Sequence, residues 1–147
     1  MTAPDPLDRL LCFAVYSTGL AFNRVYKPLL DALGLTYTQY LAILLLAQRD
    51  GRTVGELGEA LFLESSTLTP LIKRLEAGGF VRRQRDSTDE RMVRVTLTER
   101  GREAAERAAC LPERILAATG LSAEELSRAA EALVAIRGKL RESAGGA

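Results

Sequence analysis

Between Pro6 and Asp31 the apolar residues Leu7, Leu10, Leu11, Ala14, Val15, Ala21, Val25 and Leu29 recur at helical spacing, which predicts one long first helix. Asp8 stands near its positive N-terminal end, Pro28 should kink or weaken its last turn, and Gly34 ends it. Thr36-Tyr37-Thr38-Gln39 has the form of a capping box and opens a helix to about Gln48, apolar enough to lie in the core. After the turn Arg49–Arg52, Thr53-Val54-Gly55-Glu56 repeats the box and starts a short helix to Ala60. Leu61–Glu64 is a connecting turn. Ser65 is the expected N-cap of the next helix, whose inner face is Leu68, Leu71, Ile72 and Leu75 and which stops at Gly78-Gly79. Pro70 so near its start is expected as a slight irregularity.

The period then changes to that of strands. Phe80–Arg85 and Met92–Leu97 are β-prone and flank a charged turn, so they predict an antiparallel hairpin. A helix from Thr98–Gly101 should reach Pro112 and resume over Glu113–Ala118, with Thr119-Gly120-Leu121 breaking it. Ser122-Ala123-Glu124-Glu125 is a third capping box, and Leu126, Ala129, Leu133, Ile136 and Leu140 follow at spacings of three and four. That seam needs a partner helix, while the tail from Arg141 should fray. The fold class is therefore mainly α with a small β-hairpin: a winged helix-turn-helix between N- and C-terminal helices.

Charge localises the function. The net charge is +1, but Lys73–Arg102 holds nine Lys or Arg against five Asp or Glu, which is +4 locally and leaves −3 for the rest. A basic block in a near-neutral chain is the footprint of a phosphate-contacting surface, with a solvated charged hairpin as the bland alternative. On the outer face of the Ser65 helix, Ser66, Thr67 and Thr69 present small hydroxyls beside Ser65, with Lys73 and Arg74 one turn on. Small groups approach base edges and phosphates while cations neutralise the backbone, as a recognition helix requires. Arg83 and Arg85 add basic positions on the hairpin. Arg91 near its tip has the guanidinium needed to enter a narrow minor groove, held by Asp86 or Asp89.

The absence of histidine removes Ser-His and Cys-His nucleophile pairs and His-based metal sites, so no catalytic residue, metal ligand or cofactor is assigned. The longest strongly apolar run, Leu41–Ala47, is far short of the roughly 20 residues that span a bilayer. No signal-peptide pattern opens the chain, so a cytoplasmic protein is expected, in which two cysteines do not form a structural disulfide.

The run Leu75-Glu76-Ala77-Gly78-Gly79-Phe80-Val81-Arg82-Arg83, then Asp86-Ser87-Thr88-Asp89-Glu90-Arg91 and Leu97-Thr98-Glu99-Arg100-Gly101, resembles the MarR family of transcription regulators over nearly the whole chain. The resemblance implies a homodimer in which residues 1–35 and 104–147 interlock as dimerisation helices, and 36–103 form the DNA-binding lobe. Two such lobes would enter successive major grooves of a pseudo-palindromic operator, about 34 Å apart. At the front, Leu11-Cys12-Phe13-Ala14-Val15-Tyr16, Tyr26-Lys27-Pro28-Leu29-Leu30 and Leu33-Gly34-Leu35-Thr36-Tyr37-Thr38-Gln39-Tyr40 are similar to the organic-hydroperoxide-sensing OhrR-type branch. That similarity implies Cys12 as the peroxide-reactive thiol and Tyr26 and Tyr37 as its hydrogen-bond donors from the other subunit. Cys12 and Tyr26 are fourteen residues apart, roughly 21 Å of straight helix, so they cannot meet within one chain.

A helix N-terminus and tyrosine hydroxyls would both favour the thiolate at Cys12. Flanked by Leu11 and Phe13, the same cysteine is otherwise read as a buried apolar residue. Some sensors of this branch close an intersubunit disulfide, which would make Cys110 a resolving thiol; a buried helix cysteine is the equal alternative. Two other functions compete. One is a regulator that binds a small apolar or phenolic ligand in a cleft lined by Tyr16, Phe22, Tyr26, Tyr37 and Tyr40, with Cys12 a bystander. The other is a thiol peroxidase, for which the sequence carries no recognisable motif.

Overall fold

The computed structural model describes residues 5–145. Helix α1 spans Leu11–Asp31, α2 Tyr37–Gln48, α3 Val54–Leu61 and α4 Ser65–Ala77. Strands β1 (Arg52–Thr53), β2 (Val81–Arg85) and β3 (Val93–Leu97) form an antiparallel sheet in the order β1-β3-β2. Helix α5 covers Glu99–Arg107, α6 Leu111–Thr119 and α7 Ala123–Gly145. The chain divides into two compact units at Ala109/Cys110.

The capping boxes at Thr36 and Ser122 form as expected. Thr36 Oγ1 accepts the Gln39 N–H while Gln39 Oε1 accepts the Thr36 N–H, and Ser122 and Glu125 exchange the same pair. Thr53 caps α3 by accepting the Glu56 N–H, but the Glu56 carboxylate turns away to Arg49 at 2.7 Å, so that box is half closed. The core of the first unit is built from α2 (Tyr40, Ala42, Ile43, Leu46), Leu57 of α3, the predicted stripe Leu68, Leu71, Ile72 and Leu75 of α4, and Val81, Val95 and Leu97 of the sheet. At the end of α4, Gly78 caps and Gly79 takes φ +82°, the left-handed region that a Cβ disfavours.

Several expectations are corrected. The first helix does not begin at Pro6: Pro6–Arg9 is a separate 3-10 turn, capped by Asp5, and Leu10 is extended. The Leu10 N–H closes on the Leu7 carbonyl, which ends the short turn before α1 starts. Beyond it, α1 runs past Pro28 to Asp31. Ser65 is the first residue of α4, not its cap; that place falls to Glu64, whose carbonyl accepts the Thr67 and Leu68 N–H groups. The helix after the hairpin ends at Arg107, five residues before Pro112, and passes through a 3-10 turn, Ala108–Cys110, into α6. Pro112 sits in the first turn of α6, where a missing N–H costs nothing. The expected fraying from Arg141 is not seen, since α7 continues to Gly145; residues 146–147 lie outside the described residues.

Candidate nucleic-acid interface and thiol site

Helix α3, its turn and α4 make the helix-turn-helix. Phe62 in the turn adopts φ 57°, and its N–H closes on the Glu59 carbonyl. Burial of Leu68, Leu71, Ile72 and Leu75 fixes the rotation of α4, so Ser65, Ser66, Thr67, Thr69, Lys73 and Arg74 all face solvent. The hairpin β2–β3 stands beside this face with Arg83 paired to Val95 and Arg85 to Val93 in register. A cavity of about 420 Å³ lies between the α3 N-terminus, α4 and the wing, and Thr69, Arg83 and Arg91 meet around it with Thr53, Ile72 and Val93.

The basic residues of the wing are not equivalent. Arg83 is turned back to α4: its backbone N–H and Nε donate to the two Glu76 oxygens at 2.9 and 3.0 Å, and these bonds hold the Glu76 carboxyl below its usual range. Arg85 donates to the Glu90 carbonyl across the turn at 3.0 Å. Of the two carboxylates considered for Arg91, Asp89 holds it, with Nε at 3.1 Å and Nη2 at 3.4 Å, while the Arg91 side chain remains 92% exposed. A guanidinium that is oriented yet solvated can meet a phosphate or groove edge without first breaking a buried pair.

Asp86 is instead bound up in the base of the turn. Its Oδ1 accepts the Thr88 N–H and Oγ1–H, its Oδ2 accepts Arg94 Nε at 2.7 Å, and these donors, the Thr88 backbone first, push the carboxyl down to about 2. Arg94 Nη1 also donates to the Gly51 carbonyl at 2.8 Å. The charge pattern alone did not single out Arg94 or Asp50. A readable signal was present, however: a cation at the outward position between Val93 and Val95, next to a turn rich in acids.

In the thiol region, Cys12 is the second residue of α1 and is exposed, which removes the buried-apolar reading for this chain on its own. Cys110 is likewise exposed, at the end of the 3-10 turn before α6. Tyr26 and Tyr37 come together with ring centroids 4.9 Å apart, and Tyr40, which was not among the predicted sensing residues, completes the cluster at 5.8 and 6.2 Å. Burial, reinforced by the neighbouring Tyr40 and Tyr37, pushes the Tyr26 phenol up to about 12, and burial also raises Tyr37. Both phenols therefore keep their protons further into the alkaline range than a free tyrosine. Beside Tyr26 and Tyr37 opens a second cavity, of about 400 Å³, reached by Asn23, Lys27, Leu35 and Thr36. Tyr16, by contrast, is 65% exposed on α1.

Residues 24–108 match the family "Transcriptional regulator SarA/Rot". The chain is 46% identical to "HTH-type transcriptional regulator TtmR" of Methylorubrum extorquens, over 97% of this chain and 73% of that one. It is 44% identical to the "Organic hydroperoxide resistance transcriptional regulator" of Bacillus subtilis, over 86% of both chains. The chain belongs to the MarR superfamily of transcriptional regulators. Among solved structures of the superfamily, reduced AbfR bound to DNA superposes with a TM-score of 0.73 at 34% identity, covering 91% of this chain and 94% of that one. The winged helix-turn-helix and its flanking helices are thus the MarR architecture, as the wing sequence implied. No helix among the described residues is long and apolar enough to cross a membrane.

Proposed function

We propose that this MarR-superfamily protein is a cytoplasmic, homodimeric repressor that binds a pseudo-palindromic operator when reduced and releases it when an organic hydroperoxide oxidises Cys12. The observation that carries the reading is the exposed thiol at the start of α1 together with a cluster of neutral phenols, in a chain 44% identical to a hydroperoxide-resistance regulator. Tyr26 lies roughly 21 Å along the same helix from Cys12, so its hydroxyl serves the thiol of a second copy. Exposed apolar side chains on α1 (Leu11, Val15, Leu20) and α7 (Leu133, Val134, Leu140) support dimerisation through residues 1–35 and 104–147. They leave 36–103 to meet DNA through the α4 face and the wing, with Arg91 at its tip.

In the reaction the Cys12 thiolate attacks the terminal peroxide oxygen. The O–O bond breaks, the alkoxide leaves and takes up a proton as the alcohol, and the sulfur becomes a sulfenic acid. A second thiol, Cys110 or a small-molecule thiol, then displaces water to form a disulfide. Loss of the phenol hydrogen bonds to the thiolate and some repacking need supply only about 2.7 kcal/mol to lower operator occupancy 100-fold. A second reading, a small apolar or phenolic effector, is favoured by the cavity beside Tyr26 and Tyr37. Gel-shift titration of reduced and hydroperoxide-treated protein, with mass spectrometry of Cys12 and Cys110 on the same samples, tests the proposal. Loss of binding in step with Cys12 oxidation supports it, and release with both thiols unmodified favours the ligand reading.

A further inference from the structure

The alternation of β3 sends Val93, Val95 and Leu97 to one side and Arg94 to the other. On that other side Arg94 is a bridge. Its Nε reaches Asp86 at the end of β2, and its Nη1 reaches the carbonyl of Gly51, in the turn directly ahead of β1 and α3. Asp86 is 8% exposed, and besides its bonds to Thr88 its own N–H donates to the Met92 carbonyl, so the carboxylate closes the base of the wing turn. One residue before Gly51, Asp50 Oδ1 accepts the Leu97 N–H at 2.9 Å and adds a second tie between the same turn and β3. The opposite side of the wing stands over the 420 Å³ cavity against α4. On that side Val81, Val95 and Leu97 are packed into the core and Arg83 is tied to Glu76, so the root of the wing is held there; nearer the turn, where the cavity separates Val93 and Arg91 from α4, the directional bonds at Asp86, Arg94 and Gly51 hold its angle.

We propose that Arg94 and Asp86 are positioning residues for DNA binding: together they set the angle at which Arg85 and Arg91 meet a duplex already engaged by α4, without themselves contacting it. The proposal rests on the DNA-binding reading above. It inverts an electrostatic expectation. Removing the Asp86 carboxylate from a basic hairpin should by charge alone tighten binding to a polyanion, whereas loss of positioning weakens it.

The test uses a duplex selected from a random-sequence library by the parent protein, with affinity read by fluorescence anisotropy at several salt concentrations. Asp86→Ala and Arg94→Met should each weaken binding by about tenfold, the scale of one charge-assisted hydrogen bond. The salt slope of Arg94→Met should stay that of the parent, and the double variant should bind no more weakly than the poorer single. Hydrogen exchange should quicken in residues 81–97 and not in 65–77. Arg94→Lys, which cannot span both acceptors, should give a smaller loss of the same kind and keeps the test readable if Arg94→Met fails to fold. The proposal is overturned by tighter or unchanged binding in Asp86→Ala, by a salt slope lowered by about one in Arg94→Met, as a phosphate contact requires, or by additive losses in the double variant. A parent that selects no duplex overturns the DNA-binding reading and this proposal with it; a binding parent with indifferent variants overturns this proposal alone.

Discussion

Replacing Gly101 by Ala should destabilise the protein even though the residue lies inside α5, where Ala is ordinarily the better helix former. A Cβ at Gly101 would run into the Phe80 carbonyl oxygen and come within 2.9 Å of Leu97 Cδ2. That carbonyl accepts the Thr98 N–H at 3.0 Å, and Thr98 Oγ1 in turn accepts the Gly101 N–H, so the clash falls where the wing joins α5. Overpacking costs about 1–3 kcal/mol and the strained hydrogen bond about 1 more, against a helix-propensity gain of about 1 kcal/mol. The net loss is about 2 kcal/mol, which lowers Tm by roughly 4–8 °C in a chain of this length. Gly138→Ala in α7 is the internal control. Nothing lies within 4 Å of a Cβ there, and the position is off the Leu133–Ile136–Leu140 seam, so the same substitution should stabilise by about 0.5–1 kcal/mol. Thermal unfolding by circular dichroism at one fixed protein concentration reads both, since association makes Tm concentration-dependent. An unchanged or raised Tm for Gly101→Ala would show that the Phe80–Gly101 approach is not tight.

Arg91→Ala should leave Tm nearly unchanged, because an exposed ion pair to Asp89 is worth about 0–1 kcal/mol, yet weaken operator binding by about 1–3 kcal/mol if it reaches a base or groove edge. Equal effects on both quantities would remove Arg91 from the interface. The Asp86 carboxyl is depressed from 3.8 to about 2, so its stabilising contribution is complete above the unfolded value and is lost as pH falls through the folded one. Asp86→Asn should accordingly flatten the stability profile between about pH 4 and pH 2, as read by urea unfolding. Tyr26 runs the other way: its phenol is raised from 10.0 to about 12, so the stability it lends is present below the unfolded value and lost as pH rises from about 10 through 12. In an ultraviolet titration the component near 12 should vanish in Tyr26→Phe; a surviving component would assign it to another phenol.

Much of this fold was legible because short-range rules decided it. The Thr36–Gln39 and Ser122–Glu125 boxes need only residues three apart, and the α4 stripe Leu68, Leu71, Ile72, Leu75 needs only helical period, so each emerged where expected. Errors arose where a longer-range partner or a competing local bond intervened. Strand β1 is two residues long and exists because β3, some forty residues later, pairs with it. The first helix is shortened because Asp5 and Leu7 close a separate turn that apolar periodicity does not register. The same limit applies at the site. Arg91 and Asp89 are two residues apart and could be paired from sequence, whereas Glu76–Arg83 and Asp86–Arg94–Gly51 depend on how the hairpin folds back over the helix-turn-helix. By charge alone Arg83 is one more exposed cation, whereas in the fold Glu76 already holds it.

The proposed switch turns on Cys12, and it is tested by comparing the parent with Cys12→Ser on fluorescently labelled operator while an organic hydroperoxide is titrated in. The parent complex should dissociate at near-stoichiometric peroxide and the Ser complex should persist unchanged. If both dissociate alike, or if the parent stays bound while its Cys12 is fully oxidised, thiol sensing at this residue is contradicted.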